Sequence, residues 1–218
     1  MDIQISNIRK RYGRQQVLRD ISLTAQSGSC IGILGCNGSG KSTLLQILAG
    51  VLKPDSGSFT ADGTNLWKCP GSVGYIPQGT PLLEELSARD NLLLWYGRKE
   101  LEQELRGGVL KLLGIDEFLK KPVHTLSGGM KKRLSIGCAV AQRPPILLLD
   151  EPTAALDLPC KQQIHRYLEA YKRSGGILLL TTHDVTELDL CDRLYILREG
   201  RLVPYTYDGD PVKLSESL

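Results

Sequence analysis

Apolar and polar positions alternate along residues 2–11 and again along 15–24, on either side of a turn containing Gly13. That period of two predicts a pair of half-buried strands. Ser29–Leu34, Ile146–Leu149 and Gly176–Thr182 are instead almost unbroken apolar runs, the pattern of parallel strands covered on both faces. Pro54-Asp55-Ser56-Gly57 reads as a turn, Asp62-Gly63 as a hairpin turn, and Ser72–Ile76 as a short strand ending at Pro77-Gln78. From about 79 to 144 the period lengthens. Leu92, Leu93 and Leu94 begin one helical segment, and Leu101, Leu105, Val109, Leu112 and Leu113 form a helical stripe read as core packing. Beyond 144, strand and helix alternate again, with a helix at about 160–172, strands at 194–198 and 201–206 around Gly200, and a short tail. The pattern predicts one α/β domain over 1–218. Its core comprises about 1–78 and 145–218, with a helical lobe, about 79–144, inserted between the halves.

Bulk composition narrows the partners. A length of 218 residues and 41% hydrophobic content suit one domain with a sizeable core. A net charge of +3 is too small to argue for nucleic acid. The densest basic patch, Arg9-Lys10-Arg11 with Arg14, reads as the solvated face of an early strand. No apolar run reaches the roughly 18–20 residues of a membrane span, and the start lacks the charged and apolar regions of a signal peptide. Six scattered cysteines without a C-x-x-C pair fit reduced thiols in a cytosolic protein. Any membrane role must then come through a partner.

The chemistry is concentrated in Gly35-Cys36-Asn37-Gly38-Ser39-Gly40-Lys41-Ser42-Thr43, which fits G-x-x-x-x-G-K-[ST]. Glycines let the backbone curl until successive N–H groups converge on phosphate oxygens. The helix expected at about 41–50 adds the positive end of its dipole. Lys41 supplies a full charge for the β- and γ-phosphates, and the Ser42 hydroxyl can sit on Mg²⁺. Strand, loop, Lys-Ser and the apolar helix residues Leu44, Leu45, Ile47 and Leu48 follow in the required order, so a nucleoside triphosphate is the expected ligand. Cys36, inside this nest, is expected to be an alkylatable thiol that nucleotide protects.

A second acidic site ends the strand Ile146–Leu149. Asp150 is placed to hold Mg²⁺, and Glu151 to polarise a water for in-line attack on the γ-phosphate.

With Leu126-Ser127-Gly128-Gly129-Met130 added, the chain resembles the nucleotide-binding subunit of an ABC (ATP-binding cassette) transporter over essentially its whole length. Alone, Ser-Gly-Gly before a helix is a common cap. Ahead of Asp150-Glu151 and beside the phosphate loop, it resembles the family's signature motif. The resemblance implies a P-loop NTPase (RecA-like) core with an antiparallel β subdomain and an inserted α-helical subdomain, using ATP and Mg²⁺. It implies that Tyr12 stacks on adenine with Val17 lining the same pocket. Gln78 would touch Mg²⁺ and the attacking water, His183 would contact the γ-phosphate, and Asp157 would lie in a loop at a dimer interface. It also implies that Ser127, Gly128 and Gly129 contact ATP in trans within a head-to-tail dimer. The partners implied are a second copy or a homologous subunit, and a transmembrane permease on a separate chain that holds this subunit at the cytoplasmic face. His124 and His165 have no role in that pattern.

Departures from the pattern are few. Met130 replaces the usual glutamine, and Met130-Lys131-Lys132-Arg133 looks like the ABC-2 exporter-type group. Ala155 stands where the family often has serine. The tail beyond about 208 is too short for the regulatory domain of some import-type subunits. The alternative is a soluble ABC ATPase of DNA repair or translation. Such proteins usually have two cassettes or long coiled-coil insertions, and neither occurs here. A GTPase is excluded by the lack of Asn-Lys-x-Asp, and a kinase would leave Ser127-Gly128-Gly129 and His183 unexplained.

Overall fold

The computed structural model describes residues 1–218. The elements run β1 (Asp2–Tyr12), β2 (Gln15–Gln26), β3 (Cys30–Leu34), α1 (Lys41–Leu48), β4 (Ser56–Ala61), β5 (Thr64–Asn65) and β6 (Val73–Ile76). Four helices follow: α2 (Ala88–Leu93), α3 (Arg98–Gly107), α4 (Val109–Leu112) and α5 (Gly128–Ala139). The chain then continues with β7 (Ile146–Asp150), α6 (Leu158–Arg173), β8 (Ile177–Thr181), α7 (Val185–Leu188), β9 (Arg193–Arg198), β10 (Arg201–Tyr205) and α8 (Pro211–Ser217).

Two sheets form. One has the order β2-β1-β4-β5 and is antiparallel. The other has the order β10-β9-β3-β8-β7-β6, parallel throughout except at the edge strand β10. Every residue of β3, β7 and β8 is buried, as their unbroken apolar runs predict. The period of two then divides their side chains between two cores. Ile31, Ile33, Ile146, Leu148, Ile177 and Leu179 face α1 and the antiparallel sheet, where Phe59 is fully buried. Leu147, Leu149, Leu178 and Leu180 face the other way, onto residues of α2 to α6. The parallel sheet is thus the middle layer, with helices on one side and α1 and the second sheet on the other.

Some elements differ from the sequence reading. Leu92 to Leu94 close α2 rather than open a helix, because Ser87 caps its start by accepting from Asp90 N. The stripe from Leu101 to Leu113 is broken at Gly108. There Glu104 folds back and its carboxylate accepts from Val109 N at 2.7 Å, starting α4 as a separate turn. A Cβ on Gly108 would meet that carboxylate at 2.0 Å. Ser56 and Gly57, read as turn, already belong to β4. The tail forms α8, capped by Asp210 and placing Leu214 against Leu34 and Ile196. Asp210-Pro211 was the sequence signal for that start.

Leu148 lies in β7, fully buried between the sheet and its neighbours. Leu148→Ala is expected to cost about 2–5 kcal/mol of unfolding free energy. A denaturant titration should show a lower midpoint at unchanged slope; an unchanged midpoint would contradict this packing.

Candidate functional site

The parallel register sets the ends of four neighbouring strands side by side. Ile33 pairs with Thr181, Thr181 with Asp150, and Leu149 with Ile76. The phosphate loop leaves β3, His183 follows β8, Asp150 and Glu151 end β7, and Gln78 follows β6. All therefore lie along one carboxyl edge, where ligands of open α/β sheets bind.

The loop's geometry depends on glycine at two positions. Gly35 has φ +149° and Gly40 φ +109°, both in the left-handed half of backbone space. A Cβ on Gly35 would meet the Leu197 carbonyl at 2.6 Å. One on Gly40 would meet Val17 Cγ1 at 2.8 Å, so Val17 packs directly on the turn into α1. Cys36, Asn37 and Gly38 are exposed at the crest, and Ser42 and Thr43 sit half-buried in the first turn of α1. Two features mark the loop as shaped for an anion. The Ser39 hydroxyl is buried without any partner. Lys41, itself buried, turns its ammonium onto the loop's own carbonyls, donating to Gly35 at 2.6 Å and Cys36 at 3.2 Å. Burial lowers the Lys41 ammonium below its usual range, while Glu151 and Asp150 oppose that shift.

Glu151 is the meeting point of the other groups. Gln78 Nε2 donates to one of its carboxylate oxygens at 3.0 Å, and His183 Nε2 lies 3.4 Å from the other. The Glu151 backbone has φ +48°, unusual for a residue with a side chain. Its N–H is held by the Thr181 carbonyl and hydroxyl, each at 3.1 Å. The same Thr181 hydroxyl donates to Asp150 Oδ1 at 2.6 Å, so one residue fixes both carboxylates. The Gln78 amide oxygen, the Ser42 hydroxyl and the second oxygen of Asp150 are hard donors of the kind a divalent cation takes. No cluster of three His, Cys, Asp or Glu converges here.

The state of His183 follows from its contacts. Lys41 Nζ lies 3.1 Å from His183 Nε2, and an ammonium only donates. The same Nε2 also lies 3.4 Å from Glu151 Oε1; the shorter contact with Lys41 calls for a neutral ring with its proton on Nδ1, and the approach to Glu151 is then not a hydrogen bond. Burial lowers His183 below 6.5, Lys41 adds to that, and Glu151 opposes it.

The remaining candidates form separate groups. Ser127 caps α5 by accepting from Met130 N at 3.3 Å, and Ser127 and Gly128 are exposed. Gly129 is buried, and a Cβ there would meet Cys160 Sγ at 2.3 Å. Asp157 caps α6 by accepting from Cys160 N at 2.9 Å. Ser127–Gly129 and Asp157 are thus joined through Cys160, and no hydrogen bond links them to the phosphate loop within one chain. Tyr12 is 48% exposed at the β1–β2 turn, with Lys10 Nζ 5.5 Å from its ring centre.

Sequence reasoning missed Thr181 and the pair Thr153–Glu187. Glu187 is 1% exposed and accepts from Thr153 Oγ1 at 2.6 Å, tying the turn after Glu151 to α7 beside His183. Burial raises its carboxyl, and its bonds to Thr153 and Thr182 pull the other way. A threonine ending an apolar strand was the available signal for Thr181; nothing local marked Glu187.

Nuclear magnetic resonance of the nucleotide-free protein should find His183 neutral at pH 7, protonated on Nδ1, with a midpoint below 6.5. A midpoint above 6.5 would exclude the Lys41 arrangement.

Comparison with known proteins fits this geometry. The ABC transporter family profile matches residues 18–154. The linearmycin resistance ATP-binding protein LnrL of Bacillus subtilis is 34% identical over 210 residues, covering 92% of this chain and 68% of that protein. Nod factor export ATP-binding protein I of Sinorhizobium fredii is 37% identical over 212 residues, covering 92% of this chain and 61% of that protein. A probable sulfate/thiosulfate import ATP-binding protein, CysA of Chlorella vulgaris, is 34% identical over 93% of this chain and 90% of that protein. Among solved structures, a dimeric ATP-binding cassette in a post-hydrolysis state with ADP and Pi superposes with a TM-score of 0.82 at 25% identity. It covers 95% of this chain and all of that one. The phosphate loop, the paired carboxylates at the end of β7 and these likenesses agree, and the chain belongs to the ABC transporter family as its ATP-binding, ATP-hydrolysing cassette of P-loop fold.

Proposed function

We propose that this cassette energises a membrane exporter by hydrolysing ATP at the interface of a head-to-tail dimer. The observation that carries the reading is the convergence of Gln78 and His183 on the two oxygens of Glu151, beside Lys41. On this reading Glu151 polarises the attacking water, Gln78 positions it, and His183, once Lys41 turns to phosphate, carries its proton on Nε2 and donates to the γ-phosphate. Lys41 exchanges the loop carbonyls for phosphate oxygens, and the N–H groups of residues 36–43 complete the cradle. Tyr12 and Val17 take the adenine side. Ser42, Gln78 and Asp150 are the residues that would hold Mg²⁺, which when bound neutralises charge on the β- and γ-phosphates.

Ser127 and Gly128 are exposed at the start of a twelve-residue helix, a second anion nest in which Ser127 caps only the Met130 N–H. A twofold dimer puts this nest on the γ-phosphate held by the other copy, and Asp157 beside it. That a solved neighbour is dimeric, in a post-hydrolysis state with ADP and Pi, supports a dimer. ADP lacks the recognised charge, so hydrolysis removes the affinity that keeps the dimer closed.

No helix is long and apolar enough to cross a membrane. The permease on this reading is a separate partner chain. Leu83, Leu94 and Trp95 are 53%, 60% and 57% exposed, on the segment after Gln78 and at the end of α2. They are the apolar surface we assign to that partner, which would hold the cassette at the cytoplasmic face. Met130-Lys131-Lys132-Arg133 and the names of the linearmycin and Nod factor relatives favour export; the sulfate relative carries an import name.

Glu151→Gln should still bind ATP and form an ATP-dependent dimer, while turnover falls by about 10²–10⁴. Undiminished phosphate release would remove Glu151 from this role. Cys36, exposed in the cradle, should react with N-ethylmaleimide and lose that reactivity under saturating Mg-ATP. Equal alkylation rates with and without nucleotide would count against nucleotide over this loop.

A further inference from the structure

Of the three basic residues that follow Met130, Lys132 and Arg133 are buried, while Lys131 forms an ion pair at the surface. Arg133 is buried, donates to the Leu113 carbonyl at 3.0 Å and Gln163 Oε1 at 2.6 Å, and lies over the Phe118 ring. Lys131 pairs with Glu84 at 2.7 Å. Lys132 is only 4% exposed, and its ammonium donates to the Pro77 carbonyl at 2.8 Å and the Gln78 carbonyl at 3.0 Å. A buried ammonium is costly unless paired, and here its partners are neutral backbone carbonyls; burial lowers Lys132 below the usual lysine range, and the charges of Asp150, Glu187 and Glu151 oppose that shift.

The placement gives the contact a consequence. Lys132 stands five residues after Ser127 on one unbroken helix, α5. Gln78 touches Glu151 with its side chain and Lys132 with its backbone carbonyl. A movement of the Gln78 segment is therefore passed through two charge-assisted hydrogen bonds to the helix whose N-terminus carries Ser127 and Gly128. Lys131 and Glu84 join the same segment to the same helix seven residues beyond Pro77, a second and more exposed point of contact.

We infer that Lys132 is a positioning residue that couples the Gln78 segment at one ATP to the Ser127–Gly128 nest that meets the other, with Lys131–Glu84 as the second point of the clasp. This rests on the reading above, in which Gln78 acts in cis and Ser127 in trans. Lys132 touches neither nucleotide nor metal in that reading, so it should govern dimer formation rather than ATP capture.

The test uses the full chain in the Glu151→Gln background. Binding of ATP to the monomer is measured by titration of a fluorescent ATP analogue at low protein concentration, and dimerisation with ATP by sedimentation velocity. Lys132→Met should leave analogue affinity within about twofold and weaken the dimer by about tenfold or more; Lys132→Arg, which keeps charged donors, should recover it to within about threefold. Should Lys132→Met fail to fold, Lys132→Gln, which keeps an uncharged donor, is held to the same thresholds. An unchanged dimer constant overturns the coupling role. So does a parallel loss of analogue affinity and dimerisation, which would mark Lys132 as a support for the whole fold. A parent Glu151→Gln protein that never dimerises overturns the dimer reading and this inference with it. A parent and a Lys132→Met variant that dimerise alike overturn only the inference.

Discussion

Burial of β3, β7 and β8 on both faces is the constraint from which the site follows. Strands with apolar neighbours above and below have no face on which to place a charge. Polar chemistry can appear only where they end. Parallel pairing brings those ends into one row, so residues as distant in sequence as Lys41, Gln78, Glu151 and His183 become neighbours. The all-apolar layer thus selects the location of the chemistry, and the connection that leaves β3 supplies the α1 terminus beside it.

The electrostatics of that row are closed within the protein. Lys41 is satisfied by its own loop, Asp150 by Thr181, Glu151 by Gln78 and the Thr181-held backbone, Glu187 by Thr153, and Lys132 by two carbonyls. Half-buried charges persist only when paired in this way. Several of those pairs are also replaceable. A phosphate can take Lys41 from carbonyl oxygens, and a change at Gln78 reaches Glu151 on one side and Lys132 on the other. In the phosphate loop the Ser39 hydroxyl is buried with no partner at all.

Legibility from sequence follows the distance over which each feature is decided. The phosphate loop, the β1–β2 hairpin and the Asp150-Glu151 strand end were readable because neighbouring residues set their backbone and their chemistry. The break at Gly108 was not, because it depends on a Glu104 side chain folding back to take the place of a backbone acceptor. Thr181, Glu187 and Lys132 were equally hidden. Each is an ordinary residue of its own element until another element, 30 or more positions away, supplies its partner.

The sequence by itself determined the elements and the chemical vocabulary: which strands are buried, where phosphate is cradled, which carboxylates end a strand. Those are properties of period, propensity and local turn geometry. Only the tertiary structure decided that His183 is a neutral acceptor, that Glu151 is gripped by Gln78, and that Lys132 is an internal tie. Protonation state and pairing depend on which charges and carbonyls the fold brings within about 3 Å, and hydrogen bonds and desolvation act only at that range.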